Sequence, residues 1–232
     1  MALHPDVLPH AERPSLVNQF REGFAGLEAS LLPLSAPQLF RAPRGRASVV
    51  LLPGFMASPA SMAPLAAYLR FLGHRVRGWG LGRNLAGVEA MIDEFKAELE
   101  AREDEPVALV AWSLGGVVAR ETAREMPDKV SQVITMGTPV VGGPKYTSVP
   151  PGMLTRESMS FDEIEQEVHR RNLQGLKQPI TAMYSKSDGV VGWKAAVDIY
   201  NPHARNIEVS GTHLGLGTNP SVWLETAKAL AA

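Results

Sequence analysis

Apolar positions along the chain follow two periods. Short β-rich runs occur at about 48–52 (SVVLL), 74–79 (HRVRGW), 106–112 (PVALVAW), 130–136 (VSQVITM), 179–184 (PITAMY) and 206–210 (NIEVS), and these read as strands. Between them, apolar residues recur every three to four positions at roughly 59–72, 86–102, 114–126 and 193–200, and again at 220–231 after the last run. Strand and helix therefore alternate. A run such as VALVAW has no polar side, so its strand must be covered on both faces. The pattern predicts an α/β fold, a mostly parallel, doubly wound sheet of about six or more strands with helices on both faces. Ser58-Pro59 and Asn219-Pro220 mark helix starts, each a capping residue followed by proline at the first helical position.

Two regions break the alternation. Residues 1–45 are proline-rich around one amphipathic patch, about 15–31, and read as an N-terminal arm and helix packed on the domain formed by 46–232. Residues 139–178 separate two strands by far more than a usual α/β connection. This insertion carries VVGGPKYTSVPPGML and then the polar helical pattern SFDEIEQEVHRRNLQ, which reads as a small cap.

Composition narrows the chemistry. At 232 residues, 45% hydrophobic and 20% charged, the chain suits one domain with a substantial core. The formal net charge is −1 with the signs interspersed, which leaves no field to attract nucleic acid or an anionic membrane. The basic stretches Arg41 to Arg46 and Arg75 to Arg83 read as solvated edges. With no cysteine, a thiolate nucleophile and thiolate metal ligands are excluded, and serine or threonine must do any nucleophilic work. The start lacks a signal-peptide pattern and no long apolar run spans a membrane, so the expectation is a cytoplasmic protein. No metal-ligand spacing and no nucleotide fingerprint are present, and the expected set of cofactors and metals is none.

In an open parallel sheet, ligands bind outside the carboxyl ends of the strands. Ser113 follows the run 106–112, Asp188 the run 179–184, His213 the run 206–210, and the turn Pro53 to Phe55 the run 48–52. All four lie at one edge of the predicted sheet. Alone, Ser113 reads as a helix N-cap and Asp188, before glycine, as an Asx-type turn. Together with His213 they offer a nucleophile, a base and a group that orients the base. The N–H groups of Phe55 and Leu114 are candidate oxyanion donors, such donors being worth about 3–4 kcal/mol each. Ala111, Gly115 and Gly116 supply the small neighbours that a serine at a strand-to-helix elbow needs. His4, His10, His74, His169 and His203 lack a matching position, and the spare acid Asp198 falls inside the predicted helix 193–200. Trp79, Trp112 and Trp193 are candidates for an acyl site or for the core.

These residues resemble the α/β-hydrolase fold superfamily in its esterase and lipase branch. A-W-S-L-G resembles that superfamily's G-x-S-x-G elbow with alanine at the first small position, and the chain order Ser113, Asp188, His213 matches its order. ITMGTP (134–139) is similar to a lipase-like strand end, and Pro53 stands where the lipase H-G-x turn has histidine. GWGLGRNL and THLGLGTNP resemble segments of a bacterial group within the superfamily, over roughly 46–232. The resemblance implies a serine hydrolase acting on a small-molecule acyl ester through an acyl-enzyme. An acyltransferase or thioesterase using the same triad, or a ligand-binding protein without turnover, is the alternative.

Overall fold

The computed structural model describes residues 10–30, 32–85, 87–150 and 160–232. Strands β1 (Ser48–Leu52), β2 (Arg75–Gly78), β3 (Val107–Trp112), β4 (Val130–Met136), β5 (Ile180–Tyr184) and β6 (Arg205–Glu208) form one sheet in the order β2-β1-β3-β4-β5-β6. Every pairing is parallel. The order reverses direction between β1 and β3, and a crevice opens there beyond the strand ends.

Side chains alternate across the sheet and load both faces. On β3, Ala108, Val110 and Trp112 pack into one apolar layer, with Leu65 and Leu69 of α4 (Ala63–Phe71) and Val222 and Trp223 of the C-terminal helix Pro220–Leu230. Val107, Leu109 and Ala111 face the other layer, against Phe95 of α5 (Val88–Arg102) and Val118 of α6 (Leu114–Glu125). Each large side chain so buried contributes about 1.5–3 kcal/mol. The two layers explain the unbroken apolar run.

Ahead of the sheet lie α1 (Leu16–Arg21), a 3₁₀ turn (Glu22–Phe24), α2 (Ala25–Ser30) and α3 (Ala36–Phe40). Ser15 caps α1 by accepting from the Asn18 N–H at 3.2 Å. The first two helices are amphipathic with the usual orientation reversed. Asn18, Glu22, Ala25 and Glu28 are half-buried against the domain, while Leu16, Phe20, Phe24 and Leu27 are exposed. In the long connection between β4 and β5, α7 (Phe161–Asn172) begins with a capping box in which Ser160 and Glu163 satisfy each other's backbone N–H groups. Residues 1–9 of the expected arm, 31 of its amphipathic patch, 86 of the expected helix 86–102 and 151–159 of the expected cap lie outside the described residues.

Two expectations are corrected. The pattern at 193–200 forms a single 3₁₀ turn, Trp193–Ala196, not a helix. The Asp198 carboxylate accepts the N–H groups of Tyr200 and Asn201 at 3.0 and 3.2 Å, and Asn206 accepts that of Asp198, so local side chains take the donors a helix would use. Ser58 makes no side-chain cap, and Pro59 opens a 3₁₀ turn, Pro59–Met62, before α4. The Ser58 carbonyl instead accepts both the N–H and the hydroxyl of Ser61. Asn219 does cap its helix, accepting from Ser221 and Val222.

Candidate active site

Ser113 joins β3 to α6 with φ 53° and ψ −122°, a conformation costing about 1–3 kcal/mol in a residue with a side chain. Its N–H donates to the Met136 carbonyl at 2.9 Å, and its own carbonyl accepts from Gly116 N–H and from the Thr138 hydroxyl, both at 2.9 Å. Backbone and neighbours thus fix the strain. Although Ser113 occupies the N-cap position, its side chain makes no capping hydrogen bond. A cap does not explain this serine.

The small residues around it are steric necessities. A Cβ on Gly115 would stand 2.5 Å from the Pro53 carbonyl oxygen and 2.6 Å from that of Leu52, both fixed backbone. One on Gly116 would strike the Thr138 side chain. Gly115 lets the start of helix α6 approach the end of β1, and Gly116 lets it approach the segment after β4.

Asp188 and His213 meet beside this elbow. His213 Nδ1 lies 2.7 Å from Asp188 Oδ2, and both side chains are buried. The other carboxylate oxygen, Oδ1, accepts the N–H groups of Val190 and Val191 at 2.8 and 2.7 Å. The Asx-type turn and the histidine contact therefore coexist on different oxygens of one residue. A carboxylate at Nδ1 requires the proton on that nitrogen in the neutral ring, which leaves Nε2 as the acceptor. Burial pushes the imidazole pKa down, but the charge and hydrogen bond of Asp188 and the charge of Glu22 more than offset it, so the pKa stands above the usual value. The Trp112 ring lies 5.8 Å from the imidazole, centroid to centroid. Gly137, at φ 57°, brings the end of β4 so close that a Cβ there would lie 3.0 Å from Nδ1 and 3.1 Å from Oδ2.

Ser113 opens into a cleft of about 230 Å³, walled by Phe55, Leu114 and Val117 on one side and by Ile164 and Val168 of α7 on the other. Among the described residues, the Ser113 hydroxyl makes no hydrogen bond, including to His213, a contact that in unliganded sites often tightens only with substrate. The N–H groups of Phe55 and Leu114 likewise have no acceptor among the described residues. Both flank the serine, with the α6 N-terminus adding its positive end. Charged groups around the cleft are paired with one another. Arg171 bonds Glu89 at 2.6 Å and Glu167 at 2.7 Å, and Arg120 bonds Asp198 at 2.7 Å. Bonds from Arg170 and Arg171 pull the Glu167 pKa down to about 2. Asp198 belongs to this pairing and not to His213.

Three features escaped the sequence reading. Asn84, fully buried, braces the turn after β1. Its side-chain NH₂ donates to the Pro53 carbonyl at 2.7 Å, its carbonyl accepts from Met56 N–H at 2.6 Å, and its N–H donates to Ala57 at 2.9 Å. Glu22 and Glu28 reach the loops after β5 and β6 from the N-terminal segment. Asn84 sits inside GWGLGRNL beside Arg83, where it reads as an ordinary polar loop residue. For the glutamates the chain offers only polar positions on an amphipathic patch, indistinguishable from a solvated face. None of Trp79, Trp112 and Trp193 lines the cleft. Trp79 and Trp112 lie in the core and Trp193 stacks on Tyr184.

A parallel sheet with its order reversed at β1/β3, and a strained serine at the strand-to-helix elbow beside that crevice, define the α/β-hydrolase class of proteins. The chain belongs to the alpha/beta hydrolase family, whose model matches residues 49–230. It is 24% identical to a pimeloyl-[acyl-carrier protein] methyl ester esterase of Aliivibrio salmonicida, over 68% of this chain and 82% of that one. Solved structures share the fold at lower identity. A monoacylglycerol lipase of Paleococcus ferrophilus is 18% identical with a TM-score of 0.58, covering 82% of this chain and 94% of that one. A carboxylesterase of Bacillus subtilis is 13% identical with a TM-score of 0.56, over 89% and 98%. Among the described residues, no helix is long and apolar enough to cross a membrane.

Proposed function

We propose that the protein is a serine hydrolase that cleaves carboxylic esters of small molecules through an acyl-enzyme, with Ser113 as nucleophile, His213 as base and Asp188 as its orienting group. The observation that carries the reading is the buried 2.7 Å contact of His213 Nδ1 with Asp188 beside a serine held at positive φ. Ser113 Oγ attacks the ester carbonyl carbon as His213 Nε2 takes the hydroxyl proton. The resulting oxyanion accepts from Phe55 and Leu114 N–H. Collapse breaks the acyl–oxygen bond, and the alcohol leaves with the proton from His213. Water, deprotonated by the same nitrogen, then attacks the acyl-enzyme and restores the serine. The segment between β4 and β5 serves as the cap over the acyl group. An apolar cleft whose charged neighbours are already paired suits an uncharged acyl portion. The names of the esterase and lipase relatives support ester hydrolysis.

A fluorophosphonate probe is expected to label wild-type protein on Ser113. Ser113→Ala should remove the label and lower turnover of a short p-nitrophenyl ester by about 10⁶-fold. Labelling or turnover that persists in Ser113→Ala would overturn the assignment.

A further inference from the structure

We propose that Glu22, far ahead of the sheet in sequence, is a positioning residue that clasps the acid loop and the base loop together. One carboxylate accepts three backbone N–H groups. Oε1 takes Gly189 at 2.7 Å and His213 at 2.8 Å, and Oε2 takes Leu214 at 2.8 Å. Gly189 directly follows Asp188 in the loop after β5, while His213 and Leu214 belong to the loop after β6. A single anion therefore ties the backbone on which Asp188 is mounted to the backbone on which His213 is mounted. Hydrogen bonds to a charged acceptor are roughly twice as strong as neutral ones.

A second carboxylate extends the clasp. Glu28 accepts the Thr212 N–H and hydroxyl, each at 3.0 Å to Oε2, immediately before the histidine. Asn18 adds a side-chain bond to the Lys186 carbonyl at 2.9 Å. All three residues come from the inward, polar side of the N-terminal helices, which accounts for the reversed amphipathy of that segment.

The glycines of the acid loop provide independent support. Gly189 and Gly192 do not have positive φ, so no turn geometry requires them. Space does. A Cβ on Gly189 would overlap the Asn18 carbonyl oxygen, and one on Gly192 that of Glu12. The sequence DGVVGW is bare where the N-terminal segment crosses it.

The mechanical consequence concerns His213. Its ring has one proton-bearing nitrogen held by Asp188, and the separation of the two loops sets that contact. Of the titratable groups near the ring, Asp188 approaches from the β5 loop and Glu22 from the N-terminal segment, with Glu28 one residue away at Thr212. Trp112 and Gly137, from β3 and β4, bring no charge. Removing the Glu22 charge should therefore both loosen the pair and lower the pH at which the histidine loses its proton.

The inference rests on the proposed roles of Ser113, Asp188 and His213, and its test separates the two. Glu22→Gln places an NH₂ group where at least one N–H donor must be met, and Glu22→Asp is one methylene too short. In the full-length chain, hydrogen–deuterium exchange should rise at 185–191 and 211–216 together in both variants, with the core strands unchanged. Turnover of the p-nitrophenyl ester should fall about 10- to 100-fold in kcat with KM changed less than threefold, the scale set by a small misplacement of a catalytic group. The acid limb of the pH–kcat/KM profile should move to lower pH in Glu22→Gln and not in Glu22→Asp, which keeps the charge. Unchanged exchange in both loops, or wild-type kcat in Glu22→Gln, would overturn the positioning role. A wild-type protein without esterase turnover would instead remove the site reading, and the exchange result would still decide whether Glu22 holds the loops.

Discussion

Two residues carry predictions for the proposed chemistry, His213 and Asn84. In the proposed mechanism the neutral imidazole is the form that accepts the serine proton. Since its pKa is held above 6.5, activity should rise as pH increases through that higher value. A pH–kcat/KM profile should show the acid limb with a midpoint above 6.5, and Asp188→Asn, which loses the largest charge supporting the cation, should displace it downward. Asn84 braces the turn after β1 that carries Phe55, the proposed oxyanion donor. Asn84→Ala leaves the buried Pro53 carbonyl without its donor and frees the turn that presents Phe55 N–H. The expected loss is about 1–3 kcal/mol of stability in urea denaturation and a fall in kcat exceeding the change in KM.

Elements follow from local pattern wherever burial is two-sided or strictly alternating. Val107–Trp112 coincides with its apolar run within a residue, because a strand sealed on both faces tolerates no polar interruption, whereas Val130–Met136 carries Ser131 and Gln132 at its less buried start. The segment 193–200 shows where periodicity fails. Its apolar spacing suits a helix, yet Asp198 uses the backbone donors of Tyr200 and Asn201 and turns the chain instead. Asp198 is engaged there by Arg120 of α6, with both side chains fully enclosed. Asp198→Ala would leave the Arg120 guanidinium buried with its charge uncompensated, at a cost of about 3–5 kcal/mol. Chemical denaturation should register this loss, while fluorophosphonate labelling of surviving folded protein continues. Ser113, Asp188 and His213 stand out as candidates in the sequence because each sits one short loop beyond a readable strand. Glu22 and Glu28 were not, since a carboxylate that receives backbone N–H groups from a distant loop leaves no periodic trace in either segment.

At the scale of the whole molecule, the sheet supplies a rigid edge and the connections supply what happens there. Helix α7 closes one side of the cleft, the turn after β1 lines another, and the N-terminal helices lie behind the acid and base loops. The family's recognisable span begins at residue 49, whereas the carboxylates that gather those loops stand at 22 and 28. The matched span and the proposed working unit thus have different borders. A fragment cut to the familiar domain would retain every atom proposed to make or break a bond and yet forfeit the proposed tensioning element. On this proposal, the rate answers to a segment that lies upstream of the span the family model matches.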